Sequence, residues 1–332
     1  MTHIFAKHCL LKIVLFILIL PIEQVYSQSQ ESPCPRNQPV LTYHSKTNNI
    51  FLFGGFCSTT KKRLNDLWKF DGKKWELVKS KMAPTPRSGH AMVYDSFRDR
   101  LIVFGGKNQQ RELLNDLWSW DGTNWTLLSN EGPTPRQSHR IAFNSDNGDI
   151  FLFGGSNISK QSLNDTWIFR NGKWKRLTPK QSPAPRFQHT LSYDQQRKKM
   201  VLFGGGHRDD NGKTIYGDTW EWSISQGWML KDENTKMARD HHAMAYDPDS
   251  KKIMLFGGYN KGYLGDTWSW NGKKWILKTT EGPARAGKPG LIFNTLEKSM
   301  MLFGGGNNEN MYLMDFWQFN STANSWNPHI KK

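Results

Sequence analysis

The sequence predicts an all-β chain made of six radial repeats. Three observations carry this. A segment of about 50 residues recurs six times along the 332-residue chain. Each copy contains four short runs of strand character. Asp-Gly or Asn-Gly dipeptides separate the last two runs in four copies, at Asp71-Gly72, Asp121-Gly122, Asn171-Gly172 and Asn271-Gly272.

The clearest copy is residues 101–125, LIVFGGKNQQRELLNDLWSWDGTNW. The Phe-Gly-Gly recurs at Phe53, Phe104, Phe153, Phe203, Phe256 and Phe303. A first tryptophan follows at Trp68, Trp118, Trp167, Trp220, Trp268 and Trp317, each with an aspartate two residues earlier. A second stands at Trp75, Trp125, Trp174, Trp228, Trp275 and Trp326. Upstream of each Phe-Gly-Gly lies an arginine: Arg36, Arg87, Arg136, Arg186, Arg239 and Arg285.

Each copy reads as strands A to D. Strand A covers residues 87–94 or their equivalents and is mixed in character. Strand B is the apolar run of residues 101–104, as expected when both faces are covered. Strand C alternates through Asp-Leu-Trp-Ser-Trp, and strand D starts at the second tryptophan. The paired glycines fit positive φ or close packing at the end of strand B. Four antiparallel strands, repeated radially, make a six-bladed β-propeller. The blades fall at about 34–80, 81–130, 131–180, 181–232, 233–280 and 281–330, in one domain over 28–332. The Phe-Gly-Gly, Asn-Asp-Leu-Trp and second tryptophan resemble kelch repeats over about 34–326. A sialidase Asp-box is approached by residues 119–125, one residue short and without equivalents elsewhere.

Residues 1–27 differ in kind. Lys7 and Lys12 precede the apolar run 13–20, Pro21 ends it, and residues 25–27 offer a cleavage site near Ser27. This reads as a signal peptide, with a secreted or periplasmic chain that spans no membrane once it is removed; the alternative is a retained anchor. Cys9 leaves with it. Cys34 and Cys57 flank neighbouring strands A and B of the first blade, and a disulfide there is expected.

The net charge is +16, and losing Lys7, Lys12 and Glu23 lowers it by one. Lys73, Lys74, Lys173, Lys175, Lys273 and Lys274 cluster at C–D turns. Arg98, Arg100, Arg197, Lys198, Lys199, Lys251 and Lys252 cluster at A–B turns. Both turn types share one end of a propeller, so that end is expected to be positive. It reads either as a solvated surface or as weak contact with a polyanion or anionic surface. Nucleic acid is not an expected partner after export.

The opposite end carries the loops after Phe-Gly-Gly and before strand A, which differ between copies. The longest is residues 206–216; His207, Asp209 and Asp210 there have only a generic spacing for a metal, and the stretch reads as a polar loop. His90, His139, His189 and His242 share one repeat position and read as buried. Pro39 and Lys288 are read as standing in that position in their copies. Phe56, Lys107, Arg208, Tyr259, Tyr263 and Asn307 decorate the same end.

The resemblance implies a role for the arginines as well. In kelch domains that bind acidic peptides, arginines just before strand A line the binding face, and all six arginines match that position. Structural pairing with the repeat aspartates is the competing reading. No nucleophile elbow, phosphate loop, zinc spacing or paired-carboxylate signature is present, and no cofactor is implied. The expected function is therefore an exported module binding a protein or glycan over the arginine end. The candidate contacts are those arginines with His207, Arg208, Tyr259 and Lys288. The alternative is a secreted sugar-acting enzyme like the sialic acid epimerases or the galactose-oxidase-like copper enzymes. The latter would need Cys57 free for a Cys–Tyr link, and no full ligand set can be matched.

Overall fold

The computed structural model describes residues 32–210, 212–283, 289–310 and 312–329. The N-terminal apolar run, Arg285 and Lys288 lie outside the described residues. Six antiparallel sheets follow one another in chain order, one per repeat; five have four strands, and the first has a fifth, the two-residue Arg36–Asn37 paired with its strand B. In the second blade these are Ala91–Asp95, Arg100–Lys107, Leu113–Trp120 and Trp125–Ser129. The six A strands lie innermost, each in contact with the next, and the A strand Gly290–Asn294 meets Val40–His44 to close the ring. The fold is a six-bladed β-propeller.

Three local readings change. In four blades strand B does not stop before the glycines: Arg100–Lys107 runs through them, with a bulge between Phe104 and Gly106, whereas Lys199–Phe203 and Ser299–Phe303 end at the phenylalanine. Strand A begins later than expected, at Ala91, and Arg87 sits outside it in a bridge to Leu64 of the preceding blade. Of the four dipeptide turns, Asn171-Gly172 alone is a two-residue hairpin, with φ of 51° and 78° between paired Arg170 and Lys173. At Asp71, Asp121 and Asn271 the loop is longer. There the side-chain oxygen accepts the N–H groups two and three residues on, so it caps a wider turn.

The core is a chain of interfaces between blades, as neighbouring apolar sheet faces require. The second tryptophan of each blade packs on the Phe-Gly-Gly phenylalanine of the blade before it. Centroids are 4.9–5.2 Å apart for Trp125–Phe53, Trp174–Phe104, Trp228–Phe153, Trp275–Phe203 and Trp326–Phe256. Trp75 meets Phe303 of the last blade at 5.5 Å, so the closing joint repeats the internal ones. Phe70 stacks on Phe316 at 4.6 Å in the same joint. Among the described residues no strand is exchanged between first and last blade. Cys34 and Cys57 are joined by a disulfide, with Cα atoms 6.1 Å apart, and tie the N-terminal segment to strand B.

Phe303→Ala is expected to cost about 3–5 kcal/mol, close to the cost of Phe153→Ala within the ring. Urea unfolding measures both. A loss below about 1 kcal/mol for Phe303→Ala alone would mean that the ring is not held at this joint. Reduction of Cys34–Cys57 is expected to remove roughly 3 kcal/mol, read as a lower denaturation midpoint.

Candidate functional site

The loop end is organised by the repeat arginines. Arg36, Arg87, Arg136, Arg186 and Arg239 are all buried. Each forms a bidentate pair with the aspartate of its own blade, at 2.6–2.9 Å, the partners being Asp66, Asp116, Asp165, Asp218 and Asp266. Nη1 also donates to the carbonyl of the first glycine of Phe-Gly-Gly, at 3.0–3.1 Å. Nε donates to a carbonyl two residues upstream. The aspartate accepts in addition from Nε1 of the first tryptophan, at 2.6–2.7 Å. Four separate sequence signatures thus form one cluster.

The main chain of the same arginines binds the preceding blade. The carbonyls of Arg87, Arg136, Arg186 and Arg239 each accept the N–H of that blade's second glycine at 2.9 Å. A Cβ on Gly154 would lie 2.7 Å from the Arg186 oxygen, and its φ of +61° is itself unfavourable for other residues. His90, His139, His189 and His242 are buried and meet the preceding blade's phenylalanine edge-on, at 5.2–5.5 Å. Burial, and then neighbouring arginines, hold His189 and His242 well below the usual imidazole range, so both are neutral. Burial alone would raise the Asp116 and Asp165 carboxyls. Their arginines and tryptophans outweigh it and hold both below the usual carboxylate range.

The stretch 206–216, expected as a loop, is a small hairpin of Gly206–Asp209 and Gly212–Ile215. It is clamped over the joint between the fourth and fifth blades. Lys213 Nζ lies 2.5 Å from the fully buried Asp240, which also pairs with His241 at 2.8 Å. The Arg186 guanidinium stacks 4.3 Å above the Tyr216 ring. His207 is half-buried, with Nε2 3.7 Å from Asp209; Arg208 is exposed. Tyr259 is exposed and meets Tyr263 edge-on at 5.5 Å. His207, Arg208 and Tyr259 therefore share one region of the loop end, while Arg186 and Arg239 are enclosed beneath it. One placement needs correction. Gly290 pairs with Phe303 as Ala91 pairs with Phe104, so Pro289 rather than Lys288 occupies the histidine position. The spacing from Arg285 to Phe303 is one residue longer than in the other copies, which displaced the sequence alignment.

A second region was missed because its residues are spread over two repeats. Arg63, Lys107 and Arg111 converge where the first two blades meet. Arg63 Nε donates to Ser88 Oγ at 3.0 Å, and its guanidinium lies 5.7 Å from the Phe56 centroid. Burial and then the charges of Arg63 and Arg111 pull the Lys107 ammonium below its usual range; burial and Arg111 do the same to Arg63. No carboxylate pairs with any of the three among the described residues.

The turn end is less uniformly positive than the sequence implies. Arg98 and Arg100 pair with the buried Asp95, and Arg197 with Asp194 and Glu221. Lys73, Lys74, Lys173, Lys175, Lys273 and Lys274 remain exposed. Among the described residues, no group of three or more His, Cys, Asp and Glu side chains could hold a metal. No helix there is long and apolar enough to cross a membrane.

The chain matches the KLHDC2/KLHL20/DRC7 Kelch-repeats domain over residues 22–127 and 72–228. It belongs to the kelch-repeat family. No curated protein matches it. The kelch signature here is the Arg–Asp–Trp cluster and its glycine contacts, which join each blade to its neighbours.

Arg136→Ala is expected to destabilise by about 3–5 kcal/mol, since it leaves Asp165 buried and unpaired. Replacing Asp165 as well should add little, which a double-mutant cycle by denaturant unfolding checks. The kelch ring should also lose stability with acid in two stages. Neutral His189 and His242 favour the folded state fully above about pH 6.5 and progressively less below it, because only the unfolded chain takes up those protons. The aspartates, with depressed folded values, give stability that is present above about pH 4 and lost as pH falls through those values. Thermal unfolding across this range measures both stages. A melting temperature flat from about pH 7 to pH 5 would contradict the histidine assignment.

Proposed function

We propose that this kelch propeller is an exported protein-binding module that docks an acidic segment of its partner over the loop end. Kelch propellers generally bind proteins. The N-terminal apolar run and the Cys34–Cys57 disulfide support export. The observation that carries the acidic partner is the cluster of Arg63, Lys107 and Arg111. Burial and then neighbouring cations lower the proton affinity of Lys107 and Arg63, and the three cations meet no carboxylate among the described residues, so a partner's carboxylates would relieve them. Phe56 beside Arg63, and Tyr259 with Tyr263 across the ring, offer apolar anchors of the kind that dominate interfaces. His207 and Arg208 extend the contact surface. In this reading the repeat arginines shape the face from below, because their N–H groups are already used by aspartates and carbonyls.

Binding of a fluorescent oligoglutamate peptide tests the face. Changing Arg63, Lys107 and Arg111 together to Gln is expected to weaken binding at least about tenfold at physiological salt, with little change in melting temperature. Changing Lys73, Lys74, Lys273 and Lys274 to Gln should leave it largely intact. The reverse pattern would place the acidic partner on the turn end.

A further inference from the structure

The six A strands enclose a central channel of about 560 Å3. At the loop-side level of that channel each strand contributes the residue paired with the Phe-Gly-Gly phenylalanine. Five of these are Val40, Ala91, Thr190, Ala243 and Gly290, which are small or aliphatic. The sixth, in the third blade, is Arg140. Among the described residues that line the channel, Arg140 carries the one permanent charge and none is a carboxylate.

Its contrast with the repeat arginines is sharp. Each of those satisfies its guanidinium with an aspartate and two carbonyls. Arg140 makes one long hydrogen bond, Nη1 to the His139 carbonyl at 3.3 Å. No ion pair reaches it among the described residues. A guanidinium offers five N–H donors, so most of its capacity faces the channel. Burial pulls it down to about 10, which leaves it charged at neutral pH. Its charge reaches His189 and His242 in the next two blades, adding to the burial that keeps both neutral. A half-buried cation without a counter-charge among the described residues is costly, and low-dielectric walls focus its field along the channel.

The mouth above Arg140 is built to hold its shape. Gln38, Gly89, Ser138, Gln188 and His241 all adopt positive φ, between 55° and 69°. Main-chain hydrogen bonds run from one blade to the next through them: Ser138 N–H to Gly89 O at 2.8 Å, Gln188 to Ser138 at 3.0 Å, and His241 to Gln188 at 3.3 Å. This collar stands two residues before Arg140, so the opening in front of the guanidinium is fixed by backbone. Just inside it, the Thr190 hydroxyl is held 2.7 Å from His242 Nε2.

We propose that the loop-side mouth of the central channel binds a small organic carboxylate, with its carboxylate on Arg140 and its apolar body among Val40, Ala91 and Ala243. One guanidinium matches one carboxylate in charge and in its planar, two-donor geometry. A phosphate dianion would leave a negative charge uncompensated among apolar walls. The site is separate from docking over the loops, because Arg140 is untouched by the loop-face substitutions above.

Butyrate is the probe, followed by ligand-observed NMR on the full chain at constant ionic strength, with chloride as the reference anion. Saturable binding is expected, displaced by acetate more readily than by inorganic phosphate. Arg140→Met should weaken it at least tenfold, while the Lys73, Lys74, Lys273, Lys274→Gln variant binds as before. Arg140→Met should melt no lower than the parent protein in chloride, since it removes an unpaired cation; a purely structural arginine would lose melting temperature instead. Should Arg140→Met fail to fold, Arg140→Lys keeps the charge without the fork and should still weaken butyrate several-fold. The proposal is overturned by the absence of saturable butyrate binding, by unchanged binding in the folded Arg140 variant, or by phosphate displacing butyrate more readily than acetate.

Discussion

The joint between blades depends on an arginine that faces two ways. Its side chain closes the loop end of its own blade through the aspartate, the tryptophan and the first glycine. Its carbonyl accepts from the second glycine of the blade before. A buried guanidinium with these partners has little freedom, and so the spacing between consecutive sheets is set where the chain crosses from one to the next. The glycines are required because a Cβ on the first would strike the arginine carbonyl of the next blade, and one on the second would strike the chain leading into strand A of its own blade. The tryptophan on strand D then covers the preceding phenylalanine from the far side of the same interface.

The tryptophan half of this joint recurs where the ring closes, and among the described residues no strand is exchanged there. Trp75 reaches Phe303 as every other second tryptophan reaches the phenylalanine before it, and Tyr43 and Thr295 hydrogen-bond across the same seam at 2.9 Å. The disulfide between Cys34 and Cys57 lies at the start of the blade that receives the last one. A ring assembled from near-identical interfaces needs only that the first and last faces remain complementary, as in other repeat architectures.

A framework so fully satisfied leaves function to the residues that break the pattern. At the loop end, Arg63, Lys107 and Arg111 are cations without carboxylate partners among the described residues, set beside a framework in which arginines are paired. The hairpin 206–215 is an insertion held down by Lys213 on Asp240. In the channel, Arg140 stands where the other blades place small or aliphatic residues. Each departure carries a cost that the fold does not recover internally, and that is the physical reason to look there for ligands.

The sequence by itself determined the blade count, the strand order and the core. Period, alternation and turn dipeptides are local signals, and six copies averaged out their individual ambiguity. It also fixed the pairing of Cys34 with Cys57, since strands adjacent in sequence are adjacent in the sheet. It left the arginines open between two roles, because a buried bidentate pair and a ligand-binding guanidinium have the same spacing in the chain. Only the tertiary structure placed Asp66, Asp116, Asp165, Asp218 and Asp266 against them. It alone brought Arg63 to Lys107 and Arg111 across a blade boundary, turned 206–215 into a hairpin, and put Arg140 inside the channel. Those arrangements depend on how consecutive sheets rotate past one another, and that rotation is a property of the closed ring rather than of any one repeat.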